Sequence, residues 1–232
     1  MITSEVTFVL GAGASAHLNF PSGEKLTRII YEGTRPNQTL HNLLLSVDCD
    51  SADIKSFHCA FSRSGVLSID AFLDNRPEFV ALGKKVIAAS LIGFENPESL
   101  FVVGSENWYY LLFSVMRENT AFDFFGECNK VRIVTFNYDR SLEFFLFTSL
   151  KNLYGKTNNE VATQLNKIQI VHVHGKLGGL PWQTQKCRQY RTTTTPYDIL
   201  AAAEGTRIIH ESTPDISGRE RFLEAVHKSK KV

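Results

Sequence analysis

Cysteine is scarce and scattered. The four present, Cys49, Cys59, Cys128 and Cys187, form no C-x-x-C pair. That spacing excludes a zinc ribbon, and isolated thiols suit a reducing compartment. We therefore expect a cytoplasmic protein without a bound metal. An excess of charge of one sign is also missing: 25 Lys and Arg stand against 24 Asp and Glu, for a formal charge of +1. No global field draws the chain to nucleic acid or to a membrane surface. No apolar run approaches the ~20 residues that a membrane span requires. The polar Thr3-Ser4-Glu5 followed by only a short apolar run does not read as a secretory signal. There is no internal repeat, and the only low-complexity stretch is Thr192 to Thr195, which reads as a strand edge or loop. The 232 residues, 43% hydrophobic, suffice for one large α/β domain or a domain with a sizeable insertion.

The most informative stretch lies near the start. Val6-Thr7-Phe8-Val9-Leu10 is a short apolar run, partly β-branched, that reads as a buried strand. It breaks into Gly11-Ala12-Gly13-Ala14-Ser15-Ala16, a G-x-G-x-x-[G/A] turn. Glycine lets backbone approach a diphosphate closely, and the N-terminus of a following helix points N–H groups at it. The same glycines also serve a tightly packed strand-turn-helix with no ligand.

Further along, the spacing predicts helices over 14–18 and 22–33, interrupted at Phe20-Pro21, with Ser22 as a cap. Residues 34–65 are mixed, with loop signals at Arg35-Pro36-Asn37 and Asp48-Cys49-Asp50-Ser51. A long helix is predicted over 68–95, capped by Ser68 and closed by Asn96-Pro97. Another, over 105–121, carries Trp108, Tyr109, Tyr110 and Phe113, an aromatic stripe read as core. Strands are predicted over 131–136 and 168–173, with a helix over about 140–152 between them. Strands separated by helices argue for a parallel sheet. The expected fold is thus α/β: one Rossmann-like domain over 1–232 with helices on both faces and a helical insertion over about 36–125 between the first two strands. A last helix is predicted over 219–228. A doubly wound sheet would place a strand directly after it, so the chain reads as cut there.

In open parallel sheets, ligands bind beyond the carboxyl ends of the strands. Strand one ends in Gly11-Ala12-Gly13-Ala14-Ser15, strand two in Thr135-Phe136-Asn137-Tyr138-Asp139, and strand three in His172-Val173-His174-Gly175. An isolated Asx pair is most simply a turn and a helix cap, and one strand-end histidine a satisfied structural residue. Their coincidence at three strand ends points to a shared pocket. Of His172 and His174, only one is assigned to the pocket: His174, because Gly175 beside it leaves room.

These three motifs, in this order, resemble the sirtuin family, whose members carry a glycine-alanine-glycine loop, a threonine-x-asparagine-x-aspartate strand end and a histidine-glycine. The resemblance is closer to the sirtuin-like domains of bacterial anti-phage defence proteins, which share segments similar to Ser68 to Phe79 and Val131 to Glu143. It covers most of residues 5–180. It implies that Gly11, Ala12, Gly13 and Ser15 hold the diphosphate of NAD and that Thr135 belongs to the cofactor-binding strand end. It further implies that Asn137 holds the ribose or positions the attacking water, that Asp139 binds the nicotinamide carboxamide, and that His174 acts as general base. The departures are as specific. The four-cysteine zinc module of protein-deacetylating sirtuins is absent, Phe136 and Tyr138 replace their glutamine and isoleucine, and the proline-aspartate-phenylalanine-arginine of their cofactor loop is missing.

The expectation that follows is an NAD-consuming hydrolase acting as a defence effector, under the control of a partner protein or sensor domain and with a possible homo-oligomer built on the aromatic helices of 68–121. Two alternatives stay open: a protein-modifying sirtuin, either deacylase or ADP-ribosyltransferase, and a silent module that binds NAD or ADP-ribose. A hydride-transferring dehydrogenase is more distant, because Glu32, at the spacing of a ribose-binding acid, falls inside a predicted helix.

Overall fold

The computed structural model describes residues 1–102 and 107–208. Three strands form one parallel sheet: β1 (Val6–Leu10), β2 (Val131–Thr135) and β3 (Gln169–His172), in the order β1-β2-β3. Val6 pairs with Val131 and Leu10 with Thr135, while Arg132 pairs with Gln169 and Thr135 with His172. The carboxyl ends of all three strands therefore finish level, at one edge of the sheet.

Seven α-helices lie between β1 and β2 in sequence: α1 (Gly23–Gly33), α2 (Thr39–Leu45), α3 (Ser51–Ser62), α4 (Ile69–Asn75), α5 (Val80–Leu91), α6 (Trp108–Arg117) and α7 (Phe125–Cys128). After β2 come α8 (Ser141–Tyr154) and α9 (Asn158–Leu165), and after β3 comes α10 (Pro196–Gly205). Ser22 caps α1 by accepting from the Lys25 N–H, and Ser68 caps α4 through the Ala71 N–H. The region read as mixed, 34–65, holds α2 and α3. Asp50, within a predicted loop signal, is the N-cap of α3 and accepts from the Ala52 N–H. The long predicted helix over 68–95 is broken: α4 ends before Arg76, and Pro77 opens a short 3-10 turn before α5. Proline there disfavours the α conformation at Arg76, whose φ of −134° and ψ of 71° lie outside it. Thr195 caps α10 in a reciprocal box with Asp198. The predicted helix over 219–228 lies outside the described residues, as do the first residues of the one predicted from 105.

One apolar core joins the helices to the sheet, where Phe8, Leu10, Val131, Ile133 and Ile170 meet it. Phe57, Phe61, Phe72 and Phe79 pack edge-on and stacked against one another beside α5. Phe145 of α8 sits among Tyr109, Tyr110 and Phe113 of α6; of the aromatic stripe Tyr109 and Phe113 are buried in the core, Trp108 is half-buried and Tyr110 is exposed. All four cysteines are unpaired. No helix among the described residues is long and apolar enough to cross a membrane.

Candidate functional site

The turn after β1 is tighter than expected. A 3-10 helix runs from Ala12 to Leu18, starting two residues before the predicted helix over 14–18, and Asn19 closes it in the left-handed region. The Ala14 N–H donates to the Gly11 carbonyl at 2.9 Å. Trp108 of α6 supports the turn, donating its indole N–H to the Ala14 carbonyl at 2.8 Å. Gly11, Ala12 and Gly13 are exposed. A Cβ added at Gly11 or Gly13 would meet nothing within 4 Å, and neither has a positive φ. Neither packing nor backbone conformation thus calls for glycine at these two positions.

The end of β2 folds over this turn. Asn137 donates its main-chain N–H to the Thr135 hydroxyl at 3.1 Å. Its side-chain Nδ2 donates to the Gly11 carbonyl at 2.9 Å and to Ser15 Oγ at 3.2 Å. Among the described residues, Asn137 Oδ1 accepts no hydrogen bond. Thr135 is buried and holds Asn137 from behind. Asp139 is buried with both oxygens engaged: Oδ2 accepts from Ser15 Oγ at 2.7 Å, and Oδ1 accepts from the Ser141 N–H at 3.1 Å at the start of α8.

His172, the last residue of β3, and His174, two residues beyond it, both reach the end of β2. The His174 ring lies 5.8 Å from that of Phe136 and 6.1 Å from that of Tyr138, with its Nδ1 buried and without a hydrogen-bond partner. His172 sits between the Asn137 carbonyl, 3.0 Å from Nδ1, and the Glu143 carboxylate, 2.9 Å from Nε2. Gly175 does not open room for a ligand. Its φ of +69° lies in the left-handed region, and a Cβ there would fall 2.2 Å from the Gly205 carbonyl oxygen. The glycine is a requirement of the fold.

A recess of about 120 Å³ opens at this edge, lined among others by Ala12, Ser15, Phe136, Asn137 and Asp139. Gly11 and Gly13 flank it in sequence, and His174 packs on the ring of Phe136 in its wall. Wider clefts lie elsewhere. One of about 420 Å³ is at the opposite end of the sheet, beside Glu5 and Lys130, and one of about 510 Å³ lies beside Asp50 and Lys85. Neither touches a strand-end motif, and a third, of about 420 Å³, is lined by His172 and Gly175 but by no residue of the other two strand ends. We take the smaller recess as the site, because chemistry needs the residues that converge there and size alone supplies none.

Several residues of the site escaped the sequence. Asp70 of α4 lines the recess and accepts a hydrogen bond from the Tyr138 hydroxyl. Burial, with the nearby Asp70 charge, pushes the Tyr138 phenol well above its ordinary range. His17 packs edge-on against Tyr109 beside the turn, and burial lowers its pKa. Burial of Glu143 would raise its pKa, but the charge and hydrogen bond of His172, with Lys176 beyond, outweigh burial and hold it at about 2. Arg140, directly after Asp139, is fully buried and paired with Glu95 at 2.6 Å, and Arg188 reaches both Glu95 and Asp198. These pairings link segments far apart in sequence and leave no local pattern. Among the described residues no group of His, Cys, Asp and Glu side chains is placed to hold a metal ion. The chain matches no protein-family model, no curated protein and no solved structure.

Proposed function

We propose that the chain is a sirtuin-like NAD-consuming hydrolase, cleaving NAD to ADP-ribose and nicotinamide, that serves as a cytoplasmic effector of anti-phage defence and answers to a partner protein or sensor domain. In this reading the fold is Rossmann-like with helices on both faces, and α2 to α6 make up the helical insertion of about 36–125. One observation carries the reading. Asn137 ties the end of β2 to Gly11 and keeps a free acceptor, Oδ1, beside two exposed glycines whose missing side chains the fold does not use. An oxygen-rich ligand with a diphosphate fits that combination: backbone approaches the phosphates at Gly11 to Gly13, and Asn137 Oδ1 accepts from a ribose hydroxyl or from water.

The chemistry is a substitution at the anomeric carbon of the ribose. A water oxygen forms the new bond, the carbon–nitrogen bond breaks, and its electron pair stays with the neutral nicotinamide. The water proton passes to a base, for which His174 stands at the end of β3. Ser15 and Thr135 position Asn137, and Asp139 positions Ser15. Holding water and substrate together supplies most of the acceleration such a site offers.

A second reading has its own support. Asp139 is buried and each of its oxygens accepts from within the chain, from Ser15 Oγ and from the Ser141 N–H, so its carboxylate already serves to hold the turn. A module that binds ADP-ribose or NAD without turnover accounts for that. Incubating the chain with NAD and measuring nicotinamide and ADP-ribose by mass spectrometry, with Asn137→Ala as control, separates the two. Turnover lost in the variant supports the hydrolase, whereas binding without turnover supports the module.

A further inference from the structure

We propose that His172 is a positioning residue. Clamped as an imidazolium between Glu143 and the Asn137 carbonyl, it fixes the strand end that carries Asn137, so that ligand binding there weakens when the ring loses a proton. The inference rests on the reading of Asn137 as a ligand contact.

The argument begins with hydrogen-bond inventory. A peptide carbonyl can only accept, and so can an ionised carboxylate. His172 Nδ1 lies 3.0 Å from the Asn137 carbonyl oxygen and Nε2 lies 2.9 Å from Glu143 Oε1. Both ring nitrogens donate, and the ring carries both protons. The Lys176 ammonium, 3.3 Å from the same Oε1, sets Glu143 as an ionised acceptor independently of the ring. The charged groups around His172 include Arg207, which lines the same cleft. From α8 comes Glu143, and from the segment after β3 comes Lys176, whose Nζ lies 3.3 Å from Glu143 Oε1 and 2.7 Å from Gln183 Oε1. From the end of β2 comes only the neutral Asn137 peptide, since Asp139 is turned to Ser15 and Ser141.

The clamp completes the hold on Asn137. Its main-chain carbonyl is held by His172, its N–H by Thr135, and its Nδ2 by Gly11 and Ser15. Only Oδ1 is left for a ligand. A neutral ring keeps a single N–H, so one of its two bonds is lost. Either the Asn137 carbonyl loses its donor, or the buried Glu143 carboxylate loses its main partner.

The test uses the full chain labelled with nitrogen-15 in histidine. Magnetic resonance at neutral pH is expected to show two ring N–H signals that vanish in His172→Gln. Calorimetry with ADP-ribose is expected to show affinity falling about tenfold as pH rises past the loss of one signal, the worth of one charge-assisted hydrogen bond. In Glu143→Gln, which keeps an acceptor but removes the charge, that fall is expected at lower pH. A single ring N–H in the wild type overturns the clamp, whatever the ligand result. An unchanged pH dependence in Glu143→Gln overturns the link from clamp to ligand. Two N–H signals with no binding of ADP-ribose by the wild type overturn the reading of Asn137, and with it the ligand half of the proposal.

Discussion

Asn137 donates its side-chain amide to the Gly11 carbonyl across 2.9 Å, joining the end of β2 to the turn after β1. The bond is exposed to solvent, so it stabilises modestly, at about 1 kcal/mol. Asn137→Ala is expected to abolish NAD turnover while shifting the thermal midpoint by only a few degrees. His174→Ala, which removes a ring whose Nδ1 has no partner, is expected to do the same. Turnover by mass spectrometry and a thermal melt on each variant check both halves. Full rates in both variants would sink the assignment.

Gly13 separates ligand from fold. Open space surrounds the position of its missing Cβ, so Gly13→Ala is expected to change stability by no more than about 0.5 kcal/mol. Gly13→Val places more bulk where a diphosphate would lie and is expected to weaken binding of ADP-ribose at least about tenfold. Calorimetry beside a denaturant melt reads both. Retained affinity in the valine variant would remove the phosphate from this turn.

Gly175 behaves in the opposite way. Its backbone is left-handed, and an alanine methyl would fall 2.2 Å from the Gly205 carbonyl oxygen, so there is no room for it. Gly175→Ala is expected to destabilise the chain by about 1–3 kcal/mol or more, read as a lower denaturant midpoint. Any loss of NAD turnover should follow the loss of folded protein.

These two glycines show how far the sequence carries. The strands and their parallel order were legible because short apolar, β-branched runs alternate with helical patterns, and the caps at Ser22 and Ser68 stand where their side chains act. The three strand ends do converge, since the register aligns Leu10, Thr135 and His172. Glycine itself is ambiguous: only the folded chain shows that Gly13 faces open space while Gly175 is wedged against backbone. The helix α3 was missed because Asp50 is both a turn former and a good N-cap, α2 because it is short and starts without a side-chain cap, and the break before α5 because the apolar stripe continues through Pro77. At β3, the sequence named two histidines, but only the fold sets Glu143 and the Asn137 carbonyl on either side of His172.

Acid should reveal Glu143. Its folded pKa, about 2, lies below the ordinary 4.5. The stability it contributes is fully present above about 4.5 and is lost as pH falls toward 2. The contribution is on the order of 3 kcal/mol. Glu143→Gln is expected to flatten the acid limb of stability over that window, measured by urea melts at several pH values. An unchanged slope would show that the carboxylate is not held by His172 and Lys176.

Glu95 is the test of the buried charges. It pairs with two guanidiniums, those of Arg140 and Arg188, with all three side chains inaccessible to solvent. Replacing one partner leaves uncompensated charge in the interior, which costs about 3–5 kcal/mol. Glu95→Gln is expected to lower the denaturant midpoint accordingly. A loss below about 1 kcal/mol would mean that water reaches the cluster.

That cluster gathers the segment after α5, the residue before α8, the loop before α10 and α10 itself, through Glu95, Arg140, Arg188 and Asp198. Peeling any one of these away strands a charge on the others, so partial opening is penalised almost as heavily as complete unfolding. The helices and the strand ends are thereby bound into one cooperative unit, whose slowest-exchanging amides should open together and with a single free energy.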